Sequence, residues 1–146
     1  MLSFTCKTAI KAVIYLSSRH RSGENAGIKE ISECIGASEH TVGKLLQVLV
    51  KQGVIRSMKG PAGGFNISEE QMQQPIMTIV EAIDGKQVFK ECGLGLSRCS
   101  ATRPCPIHHE YKEARELIEQ LFNTRRIADL CEPVSSGVAY LIGGSK

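Results

Sequence analysis

Apolar residues recur at three- and four-residue spacing along most of the chain, and this period predicts a mainly α-helical fold. The predicted helices cover residues 4–17, 28–35, 39–52, 76–83, 108–122 and 125–131. The stripe of residues 108–122 is the clearest of them. Residues 134–146 end in Gly-Gly-Ser-Lys and are predicted to be a frayed tail.

A very short turn joins the second and third predicted helices. Gly36 is expected to end the second helix, because glycine readily adopts the left-handed conformation just past a helix end. Ser38 has a side chain typical of an N-cap for the third helix, and Gly53 closes that helix. Two short helices joined in this way predict a helix-turn-helix.

A β-hairpin is predicted directly after the third helix, over residues 54–68. Its strands begin at Val54 and Gly64, and the residues between them include the sequence KGPAG at 59–63, which is dense in turn formers. A basic hairpin in this place predicts a winged helix-turn-helix domain with a two-stranded wing. The predicted domain covers residues 1–84.

Basic residues gather in the first sixty positions, although the net charge of the chain is only +3. This distribution favours double-stranded DNA as a partner, with the third helix in the major groove and the wing near phosphates or the minor groove. Each element alone is more typical of an ordinary solvated surface or turn, so the prediction depends on their order along the chain. The candidate DNA-contacting residues are Ser38, His40, Thr41, Gly43, Lys44, Arg56, Lys59, Gly60, Pro61, Gly63 and Gly64.

A cysteine-rich loop, residues 85–107, precedes the clearest helix, and a loop of this length is uncommon unless it is functional. Cys92, Cys99, Cys105 and His108 are a compact ligand set that suits an iron–sulfur cluster or zinc. Their spacing differs from the Cys-x-x-Cys pairs of structural zinc sites, which favours the cluster. The alternative is a set of bare thiols that acts as a redox switch. The remaining cysteines, Cys6, Cys34 and Cys131, are expected to be packing residues.

The apolar stripe of the helix at 108–122 is too long to stay exposed on a small domain. It therefore predicts that residues 108–133 form a dimerisation segment in which the long helices of two copies pair. The predicted interface residues are Tyr111, Ala114, Leu117, Ile118, Leu121 and Phe122.

Several classes of protein are disfavoured by the sequence. No stretch approaches the apolar length of a transmembrane helix, and the first residues lack the plan of a signal peptide. The pattern of an enzyme pocket, with a catalytic base and the group that orients it, is not recognisable. We therefore expect a cytoplasmic protein that is not an enzyme, has no small-molecule substrate and does not bind a membrane.

The chain resembles the Rrf-type winged helix-turn-helix transcriptional regulators, which include IscR-like, NsrR-like and CymR-like members. The likeness is carried by KGPAGGF at residues 59–65, by KAVIYL at residues 11–16, and by the cysteine-rich loop before a long helix. It extends to about Pro133. The resemblance implies a homodimer that regulates transcription.

The same resemblance implies roles for the cysteine loop. Cys92, Cys99 and Cys105 would be iron–sulfur ligands, and His108 stands where the fourth ligand of IscR-like members stands. NsrR-like members use an acidic residue near the partner's N-terminus, but the first twenty residues here contain no Asp or Glu, which favours His108. A [2Fe–2S] cluster is favoured over a [4Fe–4S] cluster. CymR-like members manage without a cluster, which keeps a response to thiol oxidation or to a small-molecule effector open.

Overall fold

The computed structural model describes residues 1–96, 100–137 and 139–143. Within these ranges the chain is mainly helical and has one two-stranded antiparallel sheet, which confirms the predicted fold class. The helices are α1 (Phe4–Ser18), α2 (Ile28–Ile35), α3 (Glu39–Lys51), α4 (Glu69–Met72), α5 (Met77–Ile83), α6 (His108–Thr124) and α7 (Ile127–Ser135). The strands are β1 (Arg56–Met58) and β2 (Gly64–Asn66), and 3₁₀ turns occupy His20–Ser22 and Lys86–Phe89.

The main core forms around α1, which packs against α2, α3, α5 and α7. Its buried side chains are almost all aliphatic, as expected for a chain without Trp. Burial of each Leu or Ile contributes about 1.5–3 kcal/mol relative to its exposure to water. The largest fully buried side chains are Leu16, Ile31, Leu45, Leu46, Leu49, Ile55, Ile67, Ile79 and Ile127.

The helix-turn-helix is set by two local devices that the sequence predicts. Gly36 adopts a left-handed conformation with φ 70° and ends α2. Ser38 then caps α3, because its side chain accepts a hydrogen bond from the Thr41 amide at 3.2 Å. These two residues fix the angle at which α3 leaves the turn.

The wing is held to the loop that precedes α2. Strands β1 and β2 pair with Ser57 opposite Phe65, and Phe65 also forms a bridge with Ala26 through two backbone hydrogen bonds of 2.8 and 2.9 Å. The Asn25 side chain donates to the Ala62 carbonyl at 2.9 Å and accepts from Asn66 at 2.6 Å. The wing is therefore fixed at its base and near its tip.

A smaller core joins the winged domain to the second half of the chain. Cys6, Val80, Val88 and Phe89 pack together between α1, α5 and the 3₁₀ turn at Lys86–Phe89, and Phe122 of α6 packs against them. The centroids of the Phe89 and Phe122 rings are 5.8 Å apart. This cluster connects α6 to the winged domain.

The C-terminal part differs from the prediction. Helix α6 continues to Thr124, whose hydroxyl donates to the Gln120 carbonyl, and α7 begins at Ile127 instead of residue 125. Helix α7 also runs past the predicted end at residue 131 and includes Pro133. Since Ile127 is part of the main core, α7 belongs to the same packed unit as α1.

One further expectation is wrong in the described residues. Cys34 is not a packing residue of the core but is exposed, because Ile31 and Ile35 occupy the buried side of α2. In the tail, Leu141 packs against the main core and the Ile142 side chain lies 3.7 Å from the position of a Cβ on Gly36, while residues 144–146 of the predicted frayed end lie outside the described residues. In the described residues, no helix combines the length and apolar character needed to cross a membrane.

Candidate DNA-reading surface and cysteine site

The outer side of α3 carries the predicted base-reading residues, but they differ in availability. His40 and Lys44 are exposed and point away from the core. Ser38 donates its hydroxyl to the Thr41 hydroxyl at 2.9 Å while capping the helix, so both hydroxyls serve the turn. His40 and Lys44 are therefore the most available of these candidate side chains.

The packing of α3 on α2 does not require glycine at position 43. A Cβ on Gly43 would lie 3.5 Å from Cδ1 of Ile28 in α2. That distance is ordinary van der Waals contact, so alanine would fit there. Gly43 lies between the core side and the exposed side of the helix.

Two residues on the same outer side were not singled out from the sequence. Gln47 and Val48 are exposed, Val48 by 40%, and they follow Lys44 by three and four positions. Helical spacing places them beside Lys44 on one side of α3. By spacing, Val48 belongs to the apolar stripe of α3. It was not recognised as exposed, because the period alone does not distinguish a residue at the edge of a stripe from one at its centre.

The wing presents Lys59, Gly60 and Pro61 to solvent at its tip. Gly60 has a φ of 104°, which strongly favours glycine in this turn. At Gly63 a Cβ would collide with the carbonyl oxygen of Met58, and at Gly64 it would lie 2.6 Å from the carbonyl oxygen of Ala26. Gly63 is thus required by the hairpin turn, and Gly64 by the close approach of the wing to the loop before α2.

Arg56 lies at the base of the wing and is exposed. Its Nε donates to the Asn66 side chain at 2.7 Å, directly across the two strands. This hydrogen bond orients the guanidinium along the sheet. Arg56 is therefore a weaker candidate for DNA contact than Lys59.

Three of the four predicted metal ligands are buried near the first turns of α6, but their side chains do not form a group that could hold a metal ion. Cys92, Cys105 and His108 are 8%, 7% and 6% exposed. The His108 amide donates to the Cys105 carbonyl at 3.0 Å, and the Cys105 thiol helps to lower the pKa of Cys92. Cys99, the fourth predicted ligand, lies outside the described residues.

Backbone amides surround the Cys92 sulfur. The Leu94 amide donates to Sγ at 3.4 Å, and the Gly95 amide donates to the Cys92 carbonyl at 3.0 Å. Hydrogen bonds from the amides of Leu94 and Leu96 lower the pKa of Cys92, and Cys105 and the Gly95 amide add to this effect. The loop backbone therefore stabilises a thiolate at this position.

This arrangement fits an iron–sulfur cluster in the residues that are described. Thiolate ligands need deprotonated sulfur, and amide donors to sulfur are a feature of cluster sites. Over residues 1–96, 100–137 and 139–143, no three His, Cys, Asp or Glu side chains form a group that could hold a metal ion. Completion of the ligand set depends on Cys99.

The two sides of α6 differ in an unusual way. Its inward stripe contains His108 and Arg115, which are buried, while its outward stripe is apolar and exposed. Tyr111 and Phe122 contact Gly93 and Phe89 of the same chain. The apolar residues left on the outward side are Ala114, Leu117, Ile118 and Leu121.

Comparison with known sequences gives one consistent family. The sequence model of the Rrf2 family, described as an iron-dependent transcriptional regulator, matches residues 2–133. A putative HTH-type transcriptional regulator of Aquifex aeolicus is 31% identical over 133 residues, covering 89% of this chain and 90% of that protein. The HTH-type transcriptional regulator NsrR of Geobacillus kaustophilus is 25% identical over 129 residues, covering 88% and 87%.

Solved structures show the same fold. CymR, the global cysteine regulator of B. subtilis, superimposes with a TM-score of 0.74 at 17% identity, covering 90% of this chain and 96% of that one. IscR of T. potens superimposes with a TM-score of 0.70 at 18% identity, covering 94% and 90%. The sequence relatives are named as transcriptional regulators, in agreement with the prediction of a protein that is not an enzyme.

Proposed function

The chain belongs to the Rrf2 family of transcriptional regulators, and on that premise we propose that it is a homodimeric DNA-binding regulator whose operator affinity is set by an iron–sulfur cluster. The observation that carries the proposal is the burial of Cys92, Cys105 and His108 at the start of α6, with backbone amides directed at the Cys92 sulfur.

DNA contact follows from the placement of α3 and the wing. In a helix-turn-helix the second helix enters the major groove with its N-terminal residues at the base edges. His40 and Lys44 occupy the first two turns of α3 and are exposed. Lys59 at the tip of the wing supplies positive charge for the phosphate backbone or the minor groove.

Dimerisation is supported by the outward side of α6. Leu117 is 68% exposed and Leu121 is 48% exposed, and with Ala114 and Ile118 they make a continuous apolar stripe. Pairing with a second copy would remove this stripe from water. It would also place two recognition helices on one face, as reading two half-sites one DNA turn apart requires.

The cluster would be held by Cys92, Cys99 and Cys105, with His108 as the fourth ligand. When bound, it supplies a centre that responds to oxidants, nitric oxide or iron–sulfur supply. The residues of the chain keep the site dry and direct amide donors at Cys92. They also tie Cys105 to the first turn of α6, because the His108 amide donates to the Cys105 carbonyl.

A second candidate is a thiol switch without a cluster, and the lowered pKa of the Cys92 thiol, to which Cys105 contributes, favours it. Hydrogen peroxide would oxidise the two thiols to a disulfide and be reduced to two molecules of water. This reaction would need neither His108 nor Cys99. The two candidates therefore differ in their ligand requirements.

Absorption of anaerobically purified protein separates the two candidates. We expect visible sulfur-to-iron charge-transfer bands with stoichiometric iron and sulfide, lost in Cys105→Ala and altered in His108→Ala. Cys131→Ala is the matched control, because Cys131 lies on α7, outside the ligand set. A colourless protein that stays colourless after reconstitution, and forms a Cys92–Cys105 disulfide with peroxide, would replace the cluster proposal by the thiol switch.

A further inference from the structure

We propose that Tyr111 and Arg115 of α6 clasp residues 91–93 of the cysteine loop, and that this clasp transmits the state of Cys92 to the dimer-facing side of α6. The clasp is a positioning device, since neither residue is assigned as a ligand or as a DNA contact. The transmission rests on the proposed function, whereas the clasp itself is a property of the chain.

Arg115 holds the residue before Cys92. Its guanidinium donates from Nη1 to the Glu91 carbonyl at 2.5 Å, and its residue exposure is only 7%. A buried cation is costly unless its donors are paired, so the hydrogen bond to the loop is part of what keeps Arg115 inside. Movement of Glu91 would therefore disturb a buried charge.

Tyr111 holds the residue after Cys92. A Cβ on Gly93 would lie 2.7 Å from Cγ and Cδ2 of the Tyr111 ring, so the Gly93 backbone rests directly on the ring. The Arg115 guanidinium lies 5.9 Å from the centroid of the same ring, within the range of a cation–π interaction. Cys92 is thus flanked by two contacts to neighbouring turns of one helix.

The position of these contacts along α6 couples the cysteine loop to the apolar stripe of the helix. Tyr111 and Arg115 lie on the inward side, and Ala114 and Ile118 lie in the same turns on the outward side. A helix turns as a rigid unit, so a shift of the loop that pulls on Tyr111 and Arg115 also rotates or translates the apolar stripe. The stripe is the surface that we assign to the partner copy.

The first test removes the guanidinium. Arg115→Met keeps an unbranched side chain but loses the hydrogen bond to Glu91, Arg115→Lys restores one donor, and Lys112→Met removes an exposed cation from the same helix as the control. Operator affinity is measured with and without reconstituted cluster. We expect Arg115→Met to retain the visible spectrum while the affinity ratio between the two states falls to within about twofold of one, against roughly five- to 150-fold for a coupled site. Arg115→Lys should recover part of the ratio.

The second test uses the contact between Gly93 and Tyr111. Gly93 lies outside the left-handed φ region, so alanine there is strained only by the Tyr111 ring. Gly93→Ala should lower the affinity ratio in the parent chain and have no further effect in Tyr111→Ala. Equal effects of Gly93→Ala in both backgrounds would overturn the clasp, and this cycle decides the question even if Arg115→Met does not fold.

Hydrogen exchange separates the failure of the clasp from the failure of the proposed function. In cluster-free protein, the amides of Leu94 and Gly95 should exchange faster in Arg115→Met and in Gly93→Ala than in the parent and in Lys112→Met. Unchanged exchange in both variants would show that the clasp does not hold the loop. A further outcome is faster exchange in the two variants while the parent protein takes up no cluster. That result would keep the clasp as a contact, and it would refute both the transmission and the cluster proposal.

Discussion

Two cysteines outside the proposed ligand set have opposite environments. Cys6 has no exposed surface, and burial, together with the nearby Asp84 carboxylate, raises the pKa of its thiol to about 12. Cys34 is exposed on α2. Since alkylating reagents attack the thiolate, burial and the raised pKa both protect Cys6.

We expect native protein at pH 8 to be alkylated at Cys34 and to remain unmodified at Cys6, as read by peptide mass spectrometry. A raised pKa means a smaller thiolate fraction below pH 12, so the protection should persist up to about pH 10 in the folded protein. Protein unfolded in denaturant is the control and should be modified at both positions. Rapid native modification of Cys6 would contradict the packing described for α1.

We propose that the candidate DNA-contacting residues divide into those that supply charge and those that read bases. Lys59→Ala should weaken binding to all duplexes and lower the salt dependence, by about 0.9 in the logarithmic slope for each phosphate that is no longer neutralised. His40→Ala should instead change sequence preference, at about 1–3 kcal/mol for the affected base pair. Lys86→Ala, which removes a charge outside the wing, is the control.

Binding of selected and random duplexes over a range of salt concentrations measures both effects. If Lys59→Ala and His40→Ala bind every duplex with the affinity and salt slope of the parent, α3 and the wing do not enter the grooves as assigned.

At the scale of the element, the two sides of α6 face different surroundings. One side contacts the same chain, and we propose that the other contacts a second copy. The apolar period of residues 108–122 is sufficient to predict the helix and to propose an interface. Period alone does not say which part of a stripe packs within the chain. Tyr111 and Phe122 belong to the stripe by spacing, yet they contact Gly93 and Phe89 of their own chain.

Replacing the outward residues tests the interface. Leu117→Glu should shift the dimer strongly towards the monomer in sedimentation experiments, because it would bury an unpaired charge in the paired state. The fold of the single chain should be kept, since Leu117 is 68% exposed there. Gln120→Glu adds the same charge at an exposed neighbouring position and should leave the dimer intact. A Leu117→Glu protein with the dimer stability of the parent would place the interface elsewhere.

At the scale of the whole molecule, local signals predict the winged domain well. Gly36, Ser38 and the glycines of the wing have backbone or capping roles that depend mainly on neighbouring residues, so the sequence indicates them directly. The packing of the cysteine loop depends on contacts across many residues. Arg115 carries no sequence signal, because a charged residue on a helix is normally solvent-exposed.

The sequence pattern also does not predict how α6 and α7 pack on the winged domain. Ile127 of α7 completes the main core, and Phe122 of α6 completes the smaller one. Both residues bring the second half of the chain onto α1 and its neighbours. A movement of the cysteine loop could therefore reach the winged domain through side chains that are in contact with one another.

The central claim is that occupancy of the cysteine site changes operator affinity. The most direct test is anaerobic titration of a fluorescent duplex, selected by the protein from a random pool, with reconstituted protein, cluster-free protein and Cys99→Ala. We predict that reconstituted protein binds more tightly than the other two, by roughly five- to 150-fold. Equal affinities for all three, with the cluster shown spectroscopically to be present in the first, would contradict the account.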